Sequence, residues 1–181
     1  MKFTLNGIMI EDYVEQHRPF YLMGLAFGTK KVGSVYTQQF RTLIDPGAGN
    51  TVVSEAVMSR ILTVVKRETG EDLPILGYTS SVGVHGDRKQ LPLYCVPCLC
   101  LTDNVVAHEG VRLFDVVVAV SDSAVVPCLL GRTILQCCVL TLDPEDNSIT
   151  FDFKKSLDGN KPTLNAGSIP VYSEVGAFAE F

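Results

Sequence analysis

Long apolar runs are missing from this chain of 181 residues. Stretches such as Val116–Val120 fall far short of the roughly 18 consecutive apolar residues that read as a membrane-spanning helix, so no such span is expected. Basic charge is also short. The 15 lysines and arginines stand against 20 aspartates and glutamates, a formal net charge of −5, which argues against the broad cationic surface that nucleic acid requires. The three histidines, His17, His85 and His108, lie far apart. No Gly-rich phosphate loop, nucleophile elbow or His-Glu-x-x-His motif occurs, and nucleotide-binding and serine-hydrolase readings lose their support with them. Internal repeats and low-complexity tracts are absent as well. The opening residues Met1–Ile10 carry one lysine and reach Glu11 and Asp12 before an apolar targeting core can build. The expectation from this is a soluble, cytoplasmic protein.

What remains is a globular balance, 46% apolar and 19% charged, at a length that suits one domain with a sizeable core. Helical periodicity is confined to Val52–Val65, with Thr51 or Ser54 as N-cap, and to a shorter stretch after Gly131, Arg132–Cys138. Everything else reads as short strands rich in β-branched and aromatic residues: Phe20–Phe27, Val35–Ile44, Leu91–Leu101, Val111–Val120, Val139–Leu142 and Ile149–Phe153. Turns at Gly28–Gly33, Gly83–Gly86 and Asp143–Asn147 separate them. The pattern predicts a mainly β domain with one or two short helices.

Six cysteines fall in two groups, Cys95, Cys98 and Cys100, then Cys128, Cys137 and Cys138. The Cys95-x-x-Cys98 spacing is compatible with thiolate ligation of zinc. Yet its surroundings, Leu91–Leu101, are apolar and strand-like rather than Gly-rich, and buried reduced thiols are the plainer expectation. A thiol-rich metal or redox module is the weakest of three functional readings.

The stretch Thr42-Leu-Ile-Asp-Pro-Gly-Ala-Gly-Asn-Thr-Val-Val-Ser-Glu55 is unlike ordinary strand-and-turn sequence. An apolar strand delivers one carboxylate, Asp45, into a turn whose small residues Gly47, Ala48 and Gly49 leave room for another chain to approach. Backbone N–H groups in such a turn can also hold a carboxylate. A bare Asp-Pro-Gly turn is the structural alternative.

The segment Leu43–Val53 resembles the active-site loop of the retropepsin-like aspartic proteases, the family of the retroviral proteases and their cellular and bacterial relatives. The likeness extends to Leu129-Leu-Gly-Arg-Thr-Ile-Leu135, which matches the family's apolar-apolar-Gly segment opening a short helix. Between the two, Tyr78–Leu91 is similar to the family's flap hairpin, with its tip at Gly83–Gly86. The resemblance spans about Pro19 to Phe153. It implies a retropepsin-like closed β-barrel, the acid protease fold, as residues 19–155, flanked by an N-terminal extension (1–18) and a C-terminal tail or arm (156–181).

The resemblance further implies an aspartic endopeptidase that needs no metal or cofactor, with a polypeptide as substrate; the charge balance and short apolar runs already argue against nucleic acid or membrane as partner. Asp45 would be catalytic, and a second Asp45 would come from an identical subunit, since the chain carries one matching Asp-x-Gly. Asp122-Ser123-Ala124, after an apolar strand, lacks the glycine and reads as a loop. Gly47 and Ala48 would contact substrate from below, and Val82, Gly83, Val84 and Gly86 of the flap from above. Pro46, Gly131 and Arg132 would be structural neighbours of the site.

Two departures stand out. Pro46 replaces the family's Thr or Ser, whose hydroxyl and N–H brace the two loops across the dimer. Gly49 replaces a usual Asp that pairs with the following Gly-Arg arginine, so Arg132 needs another partner. Pro46 favours the competing reading, a catalytically inactive peptide-binding or dimerisation module on the same fold.

Overall fold

The computed structural model describes residues 2–9, 20–31, 35–82, 88–102, 110–122, 128–143, 145–146 and 148–153. Its strands are β1 (Lys2–Met9), β2 (Phe20–Gly28), β3 (Phe40–Ile44), β4 (Thr51–Ser54), β5 (Ile75–Val82), β6 (Arg88–Thr102), β7 (Gly110–Ser121), β8 (Cys128–Leu130), β9 (Cys138–Asp143) and β10 (Ser148–Phe153). Helix α1 (Glu55–Thr69) follows β4 and helix α2 (Arg132–Leu135) follows β8.

Six strands close a mixed barrel in the order β2-β6-β7-β4-β8-β3, with β3 returning to β2. The β3–β8 and β4–β7 pairs are parallel and the others antiparallel. Closure removes the free edges that an open sheet of these strands would expose. Outside the barrel, β1 pairs with β2 and β10, and β10 with β9. Strand β5 pairs with β6 from Ile75↔Tyr94 to Val82↔Arg88, forming the two arms of a hairpin. The mainly β, closed-barrel expectation therefore matches the observed architecture, two helices included.

One crossing positions the site. Strands β3 and β4 are neighbours in sequence but not in the sheet, because β8 runs between them. It lies parallel to β3 (Leu43↔Leu129) and antiparallel to β4 (Val52↔Leu129). Residues 45–50 must therefore arch across the end of β8. The apolar core beneath includes Phe27, Phe40, Val53, Leu99 and Leu130, all within 7% of complete burial. Helix α1 covers it with Val57, Met58, Ile61, Val64 and Val65, each fully buried aliphatic side chain contributing roughly 1.5–3 kcal/mol of transfer free energy.

The long β6–β7 ribbon serves two clusters. Its core-facing residues pass from Val96 to Leu99 and Leu101 on β6, and from Leu113 to Val116 and Val118 on β7, so the alternation slips by one residue in both strands. The slip falls at Pro97, which has no N–H for the ladder, and at Asp115, whose φ is 53°, a conformation Asp tolerates better than most residues. Because both strands slip together, the register from Val96↔Val116 to Cys98↔Phe114 is kept. Beyond the slip, Cys98 and Cys100 pack with Ala26 and Tyr36 in a second small core.

Several sequence expectations need correction. Residues 51–54 are strand, not helix, because β4 pairs with both β7 and β8. Helix α1 begins after Ser54, whose side chain accepts the Val57 N–H, and runs on to a left-handed cap at Gly70, φ 78°. The strand expected over Val35–Ile44 is confined to Phe40–Ile44. Upstream of it, Thr37 is tied to Phe27 by two bonds, its N–H donating to the Phe27 carbonyl at 2.8 Å and its hydroxyl accepting the Phe27 N–H at 3.0 Å. The helix expected over Arg132–Cys138 stops at Leu135, and Cys138 already belongs to β9.

Candidate functional site

Asp45 follows directly on β3, and its N–H donates to the Leu130 carbonyl at 3.1 Å, extending the β3–β8 pairing by one residue. The chain then turns: Ala48 N–H donates to the Asp45 carbonyl at 3.2 Å. Pro46 occupies the second position of this turn, where its fixed φ is favourable. The Asp45 carboxylate is half-buried, and its Oδ1 accepts the Gly47 N–H at 2.8 Å. The carboxylate is thus oriented by its own turn.

The arch is fastened below by the segment that leaves β8. Arg132 N–H donates to the Ala48 carbonyl at 2.9 Å. Thr51 N–H donates to the Thr133 hydroxyl at 2.9 Å, which in turn donates to the Thr51 hydroxyl at 2.7 Å. The Thr51 hydroxyl also accepts the Gly131 N–H at 3.2 Å. Gly131 has no room for a side chain: a Cβ there would overlap the Asn50 carbonyl. Glycine at 131 is therefore dictated by the close approach of two backbone segments.

Above the arch opens a cleft of about 480 Å³. Its floor is Asp45, Gly47, Ala48, Gly49 and Asn50; Thr79, Ser80 and Ser81 of β5 form a hydroxyl-bearing side. Val52, Leu91, Ala119 and Leu129 supply the apolar remainder. Asn50 Nδ2 donates to the Thr79 hydroxyl at 3.4 Å, linking arch to hairpin. Asp45 is the one ionisable side chain among the lining residues.

Of the sequence-derived candidates, Asp45, Gly47 and Ala48 share this cleft, and Gly131 and Arg132 lie directly beneath or beside it. Val82 ends β5. Gly83, Val84 and Gly86, and with them the expected flap tip and His85, lie outside the described residues. Sequence reasoning missed Asn50, Thr79, Ser80, Ser81, Leu91, Ala119 and Leu129, and the Thr51–Thr133 pair. The run of three hydroxyl residues on an arm of the hairpin was the available signal for part of this wall.

The alternative carboxylate is elsewhere. Asp122 is exposed and pairs with Lys89 at 2.9 Å, whose ammonium holds the carboxyl below its usual range. It borders a different depression, with Arg41, Glu55 and Arg60. The thiols of Cys98, Cys100, Cys128 and Cys137 are buried and free of disulfides. Burial pushes the Cys98 thiol up to about 11. Cys95 and Cys98 lie on one extended strand, where three residues span roughly 10 Å, and among the described residues no three His, Cys, Asp or Glu side chains cluster as a metal site needs. No helix among the described residues is long and apolar enough to cross a membrane.

No family model matches the sequence, and no curated protein matches it. Among solved structures, the fold is similar to that of a retropepsin-like aspartic protease from Rickettsia conorii, at 13% identity over 84% of this chain and 91% of that chain, with a TM-score of 0.47.

Proposed function

We propose that the chain is an aspartic endopeptidase acting as a homodimer, with Asp45 of each subunit forming the catalytic pair. The observation that carries this reading is the Asp45 carboxylate itself, oriented by the Gly47 N–H on the floor of a cleft otherwise free of charge. Two such carboxylates brought together cannot both ionise easily and share one proton. The ionised member takes a proton from water as the water attacks the scissile carbonyl, and the protonated member donates to the carbonyl oxygen. An extended polypeptide fits the cleft by backbone hydrogen bonding, with the β5–β6 hairpin closing over it. No metal or cofactor enters the scheme.

A second reading keeps the dimer and the peptide groove without catalysis. It is favoured by Pro46, which is exposed and offers a facing loop neither an N–H nor a hydroxyl.

The test is digestion of a diverse peptide mixture between about pH 3 and pH 7, read by mass spectrometry, with wild type, Asp45→Asn and Pro46→Thr side by side. Cuts by wild type that vanish in Asp45→Asn, with folding and dimerisation kept, support the protease. Equal cutting by Asp45→Asn refutes the catalytic assignment. Cutting by Pro46→Thr alone establishes the binding module.

A further inference from the structure

Several exposed cations among the described residues have carboxylate partners. Lys30 sits on Asp115 at 2.5 Å, Lys66 on Asp72 at 2.6 Å and Lys89 on Asp122 at 2.9 Å. Arg132 differs. Its backbone is fixed to the arch through the Ala48 carbonyl, its side chain is exposed, and among the described residues no carboxylate or other side chain pairs with its guanidinium. Its Nη2 lies 3.8 Å from where a Cβ on residue 49 would sit, and Gly49 lines the cleft. A five-donor fork that is planar and always charged therefore lies beside one lining residue, Gly49, of a groove whose lining holds no cation.

We propose that Arg132 is a specificity residue of the cleft, receiving a carboxylate of the bound polypeptide on the side built by Ala48 and Gly49. The substrate class is thus peptides carrying Asp or Glu on one flank of the bound segment, with uncharged side chains against Val52, Leu91, Ala119 and Leu129. Gly49 is integral to this: with no side chain, it leaves the guanidinium unoccupied and the route from groove to fork open. A carboxylate at position 49 would fill the fork from within the chain. The inference rests on the peptide-groove reading of the cleft but not on catalysis.

The effect is modest because the fork is exposed. An ion pair at such a site is worth about 0.2–1 kcal/mol, so a Glu-for-Gln exchange in the peptide changes efficiency by roughly 1.4- to fivefold and by less at high salt. Peptide pairs differing by Glu or Gln at one flanking position are turned over at about pH 6, where free carboxylates are ionised, by wild type, Arg132→Gln and Gly49→Asp. The same pairs are titrated onto Asp45→Asn, with and without Arg132→Gln, by fluorescence anisotropy. A Glu preference at one position in wild type, erased in both variants, supports the proposal. A binding preference for Glu that Arg132→Gln erases, in a protein that cuts nothing, supports it while removing the protease reading. Equal handling of Glu and Gln in both assays overturns it, whether or not peptides are cut. Loss of the dimer in Arg132→Gln on sedimentation, with an unchanged Glu to Gln ratio, assigns the guanidinium to a carboxylate of the second copy and overturns it too.

Discussion

Replacing Thr51 by valine tests whether hydrogen bonds, rather than apolar packing, hold the arch that carries Asp45 to the barrel. Thr51 is fully buried, and valine matches its shape while removing the hydroxyl. The Gly131 N–H, in a buried residue, then has lost its acceptor at 3.2 Å, which costs about 1–3 kcal/mol for an unsatisfied buried donor. The Thr133 hydroxyl loses its acceptor at 2.7 Å, worth about 1 kcal/mol more. The total is about 3 kcal/mol. Thr51→Ser keeps both bonds and loses one buried methyl, roughly 1 kcal/mol. Hydrophobicity and strand propensity alone would rank valine above serine; the hydrogen-bond account ranks it below. Urea unfolding at one protein concentration, followed by circular dichroism, gives the comparison. In a cycle with Thr133→Val, the double variant costs less than the sum of the singles, because both remove the same hydroxyl pair. A valine variant as stable as the serine variant, or strictly additive costs, refutes the reasoning.

Gly131→Ala places a methyl onto the Asn50 carbonyl, and the arch must lift; the expected destabilisation exceeds about 3 kcal/mol, read by the same unfolding assay, and a loss below about 1 kcal/mol would mean the two segments separate freely. Cys98 supplies a pH signature. Burial keeps its thiol protonated up to about 11 in the folded chain, from an ordinary value of 9.0, so the unfolded chain releases this proton first as pH rises. The stabilisation is complete below about pH 9 and is lost between about 9 and 11, roughly 3 kcal/mol in all. Cys98→Ala flattens that limb of the stability curve, whereas parallel curves for the two proteins would place the thiol in water.

How much was legible depended on whether a segment's own residues or its neighbours decided its structure. Strands β2, β6, β7 and β10 are long or strongly β-branched and aromatic, and local preference suffices for them. Helix α1 carried its own signals too: an apolar stripe, Ser54 as cap and Gly70 as stop. Strands β4 and β8 were not legible, because a segment of only three or four residues reads equally well as the first turn of a helix. What makes Thr51–Ser54 a strand is two partners far away in sequence, Cys128–Leu129 and Val118–Ser121. The site divides the same way. Asp45, Gly47 and Ala48 announce themselves in one contiguous stretch, while Leu91, Ala119 and Leu129 enter the cleft only because the barrel closes.

Position 46 joins these levels. Inside the chain nothing needs a donor there: the Gly47 N–H serves the carboxylate and the Ala48 N–H closes the turn. Proline suits that turn, since its ring fixes the φ the turn adopts and reduces the freedom of the unfolded chain. Proline at 46 therefore leaves Asp45 fastened by local bonds and by the Thr51–Thr133–Gly131 set beneath. In the proposed dimer its consequence would fall between chains, since residue 46 is exposed and has no hydrogen to give. A pair of such loops would have to be aligned there by other contacts. Under that proposal, whether a dyad forms is a question about contacts between chains, while within one chain Asp45 already stands oriented on the floor of a groove.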